Sequence, residues 1–166
     1  MTKLPPRYPR HRQWSDLTTT DFASLDLARA IAVLPLGATE QHGPHLPLSV
    51  DGNLAHGMVK AETVIRLWTD IAESVHASGV RKLVLFNAHG GNVGLMDVVA
   101  RELRARLSML VYSVSWFNLP LHDAEGNDLL ARVAPEEQRF GVHGGQLETA
   151  MMLGLKPRLV RKHKAQ

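Results

Sequence analysis

Three short apolar runs, separated by two segments of helical periodicity, constrain the fold of this chain more than any other feature of its sequence. The runs cover residues 30–36, 82–86 and 109–115, and their almost unbroken apolar character is typical of strands covered on both faces. Residues 62–78 and 93–107 lie between them and place apolar side chains at every third or fourth position. This strand–helix–strand–helix–strand order predicts a parallel sheet with right-handed crossovers, and therefore an α/β layered domain.

Length and composition limit the kinds of function that the chain can have. Its 166 residues suit one domain, and no apolar run approaches the roughly 20 residues needed to span a bilayer. Cysteine is absent, which excludes thiolate catalysis and thiolate-bound metals, whereas histidine occurs nine times. The first residues also lack the apolar core of a secretory signal. We therefore expect a cytoplasmic protein without membrane association.

The basic residues are concentrated near the two ends of the sequence. The net charge of +3 comes from 19 Lys and Arg against 16 Asp and Glu. The terminal basic residues are Arg7, Arg10, Arg12, Lys156, Arg158, Arg161, Lys162 and Lys164. Nucleic-acid binders usually place such charge on one face with aromatic residues between, and only 5% of this chain is aromatic. The sequence therefore predicts no nucleic-acid partner.

Polar side chains follow two of the predicted strands at the point where each strand ends. Glu40 and His42 come after the first strand, with Asp51 nine residues past His42, and His89 follows the second strand. Ligands of open α/β sheets bind beyond the carboxyl ends of the strands, so these side chains are expected to converge. Two carboxylates and two imidazoles suit Zn²⁺, Mn²⁺ or Fe²⁺, and a bridging carboxylate would allow two ions.

Each of these side chains also has a plainer interpretation. Glu40 and His42 fit an exposed loop pair, and Asp51 fits the cap of a following helix. His89 fits a tight turn that holds a buried histidine, or a turn that binds an anion at the next helix N-terminus. The glycines after His89 lack the G-x-G-x-x-G spacing of a dinucleotide site. Convergence of all four at one sheet edge favours the metal site.

A third polar cluster lies at residues 141–149. Two adjacent glycines allow the backbone to pass close to a ligand and lead into a short predicted helix. His143 would then face the site, with the alternative that it is a surface loop residue. Glu148 lies in the first helical turn, where a carboxylate is also favoured simply by the helix dipole. His45 is the best candidate for a supporting contact.

These three motifs resemble those of the creatininase (creatinine amidohydrolase) family. Residues 36–48 (LGATEQHGPHLPL), followed by Asp51, look like the family signature, and residues 87–92 and 143–149 are similar to its second and third motifs. The resemblance implies a three-layer α/β/α sandwich with a mostly parallel sheet. It also implies a homo-oligomer, commonly a hexamer, and a centre of one or two divalent metal ions that hydrolyses C–N bonds of amide-like substrates.

The resemblance further implies roles for individual residues. The positions that match the family's metal ligands are Glu40, His42, Asp51 and His89. His143 matches a position beside the substrate, so we expect His143 to protonate the leaving nitrogen and Glu148 to accept a proton from the attacking water. Cyclic amides, formamides and peptide-terminal amides all remain open as substrates. The alternative is a non-catalytic metal-binding relative with a reduced substrate pocket.

The chain departs from the family pattern in three places. Gly91 stands where creatinine-hydrolysing members carry a ligand carboxylate, which makes creatinine a poor candidate substrate. Family members have a few dozen more residues between Asp51 and the helix that begins at Glu62, and they continue further at the C-terminus. We therefore expect residues 1–166 to form a single creatininase-like domain that lacks a segment near residues 60–61 and the C-terminal portion. Either the protein is shorter than its relatives or residues have been left out of the sequence, and we favour the second explanation.

Overall fold

In the part of the chain that the structure describes, a three-stranded parallel sheet lies at the centre. The computed structural model of the chain describes residues 13–37, 41–47 and 61–165. In spatial order the strands are β1 (Ala32–Leu36), β2 (Lys82–Asn87) and β3 (Leu110–Ser115). Both neighbouring pairs are parallel, as the strand–helix alternation predicts. The carboxyl ends of all three strands therefore meet at one edge of the sheet.

Five α-helices accompany the sheet in these ranges. They are α1 (Thr19–Ala23), α2 (Ala61–Ala77), α3 (Val93–Leu107), α4 (Pro135–Phe140) and α5 (Gln146–Leu155). The sequence pattern does not indicate α4, whose six residues are too few to show a period. Proline at its first position and two glutamates in its first turn favour a helix start there. None of the helices described is long and apolar enough to cross a membrane.

The main core lies between one face of the sheet and helices α2 and α3. Trp68 of α2, Leu85 of β2 and Leu103 of α3 are 1%, 0% and 0% exposed, and they belong to one apolar cluster. Burying a leucine fully is worth about 1.5–3 kcal/mol relative to leaving it in water. The two crossover helices therefore hold the sheet at the position that the following site requires.

The opposite face of the sheet is also apolar, but the described residues leave it open. Val33, Val84 and Tyr112 lie side by side across the three strands. Val33 and Tyr112 are 58% and 59% exposed. The expectation that the strands are covered on both faces is therefore met on one face only within the described ranges. The predicted α/β sandwich with a parallel sheet is confirmed, and these residues supply its sheet and one helical layer.

Candidate active site

Buried polar side chains tie the carboxyl ends of the strands together. The Asn87 Nδ2 group, at the end of β2, donates to Ser115 Oγ at the end of β3 over 3.1 Å. Asn92 Nδ2 donates to Asn87 Oδ1 at 3.2 Å and to the Gly37 carbonyl oxygen, just past β1, at 3.3 Å. The backbone N–H of His89 donates to the same Asn87 Oδ1 at 3.0 Å. This network fixes the point from which His89 leaves the sheet.

His42, His143 and Glu148 bring metal-ligating atoms together beside this edge. His42 is fully buried, and its Nε2 lies 3.7 Å from Glu148 Oε1. The His143 ring packs edge-on against His42, with ring centroids 5.2 Å apart. One ligand atom from each of the three lies within 4.8 Å of the others. Two ligands held about 2.1 Å from one ion are at most about 4.2 Å apart, so the 3.7 Å separation of His42 Nε2 and Glu148 Oε1 suits binding to a common ion.

Gly144 is the residue that brings the third motif against the first. Its φ of 66° lies in the left-handed region, and an added Cβ would lie 2.5 Å from the His42 carbonyl oxygen. Its N–H donates to Glu148 Oε2 at 2.6 Å, and the other oxygen of that carboxylate is the one near His42. The close approach that the glycine permits is thus to the backbone of His42, rather than to a ligand as the sequence suggested.

His45 connects the loop that carries His42 to neighbouring segments. Its side chain is 9% exposed, and its Nε2 lies 3.1 Å from the hydroxyl of Thr149 in α5. Its carbonyl oxygen accepts a hydrogen bond from the Arg161 backbone N–H at 2.8 Å. His45 therefore links the loop that carries His42 to two segments from the end of the chain.

A cavity of about 410 Å³ opens in front of His89, His143 and Glu148. Its apolar walls include Trp116, Phe117, Leu130, Val133 and Leu147. An apolar cavity with a few convergent polar groups is the usual form of a small-ligand site. The volume is large enough for a small amide or for the end of a peptide.

The structure brings together the predicted site residues that it describes. His42, His143 and Glu148 form the ligand group, whereas His89 lines the cavity beside His143 and Glu148 and is not part of that group. Glu40 and Asp51 lie outside the described residues, so their roles stay predictions. The alternative of an exposed loop position is wrong for His42, whose side chain is fully buried. The grouping of His143 with His42 and Glu148 as one potential ligand set is not indicated by the sequence, because it depends on the contact at Gly144.

The motifs that form this site occur in a known protein family. A family model described as creatinine amidohydrolase, creatininase, matches residues 15–61 and 57–166. The chain belongs to the creatininase family. The two matches meet at residues 57–61, close to the segment that the creatininase resemblance led us to expect as missing. Residues 48–60 lie outside the described residues, so this expectation stays a prediction.

Curated relatives in the creatininase family are peptidases. The mycofactocin precursor peptide peptidases of Mycobacterium tuberculosis strains CDC 1551 and H37Rv are 29% identical over 171 aligned positions, covering 78% of this chain and 60% of theirs. The peptidase of Mycobacterium ulcerans strain Agy99 is 25% identical, covering 87% of this chain and 66% of its own length. Because 78% of 166 residues is about 129, about 42 of the 171 positions have no residue of this chain.

Solved creatininase structures have the same fold. A creatininase described as a manganese form superposes with a TM-score of 0.70 and 25% identity, covering 91% of this chain and 75% of that chain. Another creatinine amidohydrolase gives a TM-score of 0.70 and 26% identity, covering 91% and 74%. The creatininase-like fold expected from the motifs is therefore confirmed.

Proposed function

We propose that this chain is a metal-dependent hydrolase of C–N bonds in amide-like substrates. The observation that carries the proposal is the grouping of His42, His143 and Glu148, with ligand atoms within 4.8 Å of one another, beside an apolar cavity. Relatives in the same family include amidohydrolases and peptide peptidases, which supports a hydrolase. The chain spans 60% of the length of the first of these peptidases. Peptide hydrolysis by this chain is therefore a proposal.

The donor set fits a divalent ion. Imidazole and carboxylate ligands suit Zn²⁺, Mn²⁺ and Fe²⁺, and related creatininases are described in manganese and zinc forms. We assign one or two ions to His42 and Glu148 of the ligand group, with His89, Glu40 and Asp51 as further ligands predicted from the motifs. Such an ion would polarise the substrate carbonyl and lower the pKa of a bound water.

The chain's own residues then divide the proton transfers between them. Glu148 Oε2 accepts the Gly144 N–H, and Oε1 lies 3.7 Å from His42 Nε2, so the carboxylate is held beside the ligand group, where it would take the proton of the attacking water. His143 is exposed and lines the cavity, whereas His42 is fully buried. His143 is therefore assigned to the substrate side, where it donates a proton to the leaving nitrogen.

A peptide-terminal amide is the substrate class that we favour. The walls of the cavity are mostly apolar, and Gly91 stands where creatinine-hydrolysing members carry a ligand carboxylate, which disfavours creatinine as the substrate. The curated relatives are peptidases of a precursor peptide. We also propose a homo-oligomer, a hexamer by resemblance to the family, and a cytoplasmic location.

The test combines metal analysis with turnover. His42→Ala and Glu148→Gln should lose bound metal together with hydrolysis of a panel of cyclic amides, formamides and short peptides. His76→Ala, which replaces an imidazole on α2, is the matched control and should keep both. Urea unfolding of each variant separates a lost site from a lost fold. A Glu148→Gln protein that keeps wild-type metal content and turnover would show that the site is assigned to the wrong residues.

Metal binding without catalysis is the second candidate. The observation in its favour is that about 42 positions aligned in the first peptidase have no residue here. A pocket built from fewer residues would bind the ion yet fail to orient a substrate. Purified protein that contains stoichiometric metal but turns over no member of the panel would favour this candidate.

A further inference from the structure

Residues 156–164, here called the basic segment, form a cationic surface that the proposed chemistry does not use. Its charged side chains are Lys156, Arg158, Arg161, Lys162 and Lys164, and it contains no aspartate or glutamate. All five are exposed. Clustered like charges repel one another and attract ligands of opposite charge.

Among the described residues, the basic segment has no carboxylate partners, whereas several other cations do. Arg106 pairs with Glu73 and Glu102, and Arg132 pairs with Asp123 at 3.0 Å. Within the part of the chain that the structure describes, no ion pair involves a side chain of the basic segment. Its charge is therefore available to a ligand.

The basic segment is also fixed in place beside the candidate site. Val160, in its middle, is 8% exposed and packs in a small apolar cluster with Leu46 and Met152. The next residue, Arg161, donates its backbone N–H to the carbonyl oxygen of His45 at 2.8 Å. The cations are thus attached to the loop that carries His42, three residues before His45.

We propose that the basic segment binds an acidic stretch of a peptide substrate and so guides the peptide to the cavity. Five exposed cations attract carboxylates within roughly one Debye length, about 10 Å at 0.1 M salt. Lysine and arginine alone give charge recognition, whereas single-stranded nucleic acids are usually held by aromatic stacking as well, and the segment contains no Phe, Tyr or Trp. The proposal rests on the proposed peptide hydrolase, but binding can be measured apart from cleavage.

The experiment measures fluorescence anisotropy of three labelled probes with the full chain. The probes are a peptide with glutamate at every third position, the same peptide with glutamine instead, and a single-stranded DNA of equal charge. Lys162→Glu with Lys164→Glu is the test variant. Arg29→Glu with Arg66→Glu is the control, because it makes the same change of charge at two exposed positions outside the basic segment.

At low salt we expect the glutamate peptide to bind more tightly than the glutamine peptide. The test variant should weaken binding of the glutamate peptide about tenfold, since each exposed ion pair contributes modestly and two cations are reversed together. The control variant should change it less than twofold, and high salt should remove the difference. Equal binding of the two peptides, or equal effects of the two variants, would overturn the proposal. Tighter binding of the DNA would overturn it in favour of a nucleic acid.

The outcome is separable from the proposed function. Binding measured with Glu148→Gln does not require turnover. If acidic peptides bind to the basic segment but no member of the substrate panel is ever cleaved, the hydrolase proposal fails, whereas the recognition of acidic peptides by the basic segment stands. If acidic and neutral peptides are cleaved with equal kcat/KM at low salt, the hydrolase stands and the basic segment has no role in substrate binding.

Discussion

The two adjacent glycines after His89 give a matched test of how that histidine is positioned. An ideal Cβ at Gly91 would lie 2.6 Å from His89 Nε2, whereas one at Gly90 would meet nothing within 4 Å. Neither glycine has a positive φ, so alanine is allowed by the backbone at both. Ordinary contact requires about 3.6 Å. Gly91→Ala must therefore displace the imidazole by roughly 1 Å, while Gly90→Ala leaves it in place.

The displacement should affect the site far more than the stability of the fold. The neighbour that must move is the end of a half-exposed side chain, and an off-rotamer imidazole costs about 0.5–1.5 kcal/mol. Replacing a glycine by alanine recovers about 0.4–1 kcal/mol through the unfolded chain. The free energy of unfolding should therefore change by less than about 1 kcal/mol, whereas misorienting a metal ligand typically weakens metal affinity about 10- to 100-fold.

The assay is calorimetric titration of Mn²⁺ or Zn²⁺ into the wild-type protein and both variants, with urea unfolding alongside. We expect Gly91→Ala to weaken the metal dissociation constant at least about tenfold at nearly unchanged stability. Gly90→Ala should bind metal as the wild type does. Equal metal affinity in all three proteins would refute the idea that His89 is a ligand whose orientation depends on Gly91.

Three further predictions concern stability and ionisation. Gly144→Ala should destabilise the fold by at least about 1 kcal/mol in urea unfolding, because of its positive φ and because an added Cβ would lie 2.5 Å from a carbonyl oxygen. Gly154→Ala, in the last turn of α5 with nothing within 4 Å of the added Cβ, should stabilise the fold by up to about 1 kcal/mol, and the reverse order of the two effects would contradict the loop geometry. Leu85→Ala should cost about 2–5 kcal/mol, since the side chain is fully buried, and a loss under about 1 kcal/mol would mean that the core can collapse around it. The pKa of Asp123 lies below its usual 3.8 because the Asn127 side chain, and then backbone N–H groups, donate hydrogen bonds to the carboxylate. These bonds therefore stabilise the turn above pH 3.8, and the stabilisation is lost as the pH falls through the lowered pKa. An NMR titration midpoint of Asp123 at or above 3.8 would contradict this.

The regular part of the fold could be predicted from local patterns. The three apolar runs and the two amphipathic segments record which side chains face the core, so β1 to β3, α2 and α3 follow from periodicity. The short helix α4 could not be predicted, because six residues do not show a period. The sequence also did not predict the sheet face that the described residues leave open at Val33 and Tyr112, because both are ordinary strand residues.

The parts of the site that could be predicted are those whose position follows from the order of strands and helices along the chain. His89 follows a strand end, and its position at the sheet edge is a consequence of topology. The burial of His42 depends instead on Gly144, about a hundred residues away along the chain, and no local signal records that contact. Asn87 and Asn92 look like loop residues in the sequence, yet they form a buried network, which an asparagine placed directly at a strand end could have indicated.

The contact between Gly144 and the His42 backbone also has a consequence for how this protein is made. Chains leave the ribosome from the N-terminus, and a loop closure that joins distant residues is among the slower steps of folding. The three described strands and the two crossover helices between them are translated by Ser115, whereas Glu148 follows 33 residues later. A nascent chain therefore carries this scaffold before it can assemble the His42–Glu148 pair, and the chemistry proposed for that pair begins only after the third motif has been translated.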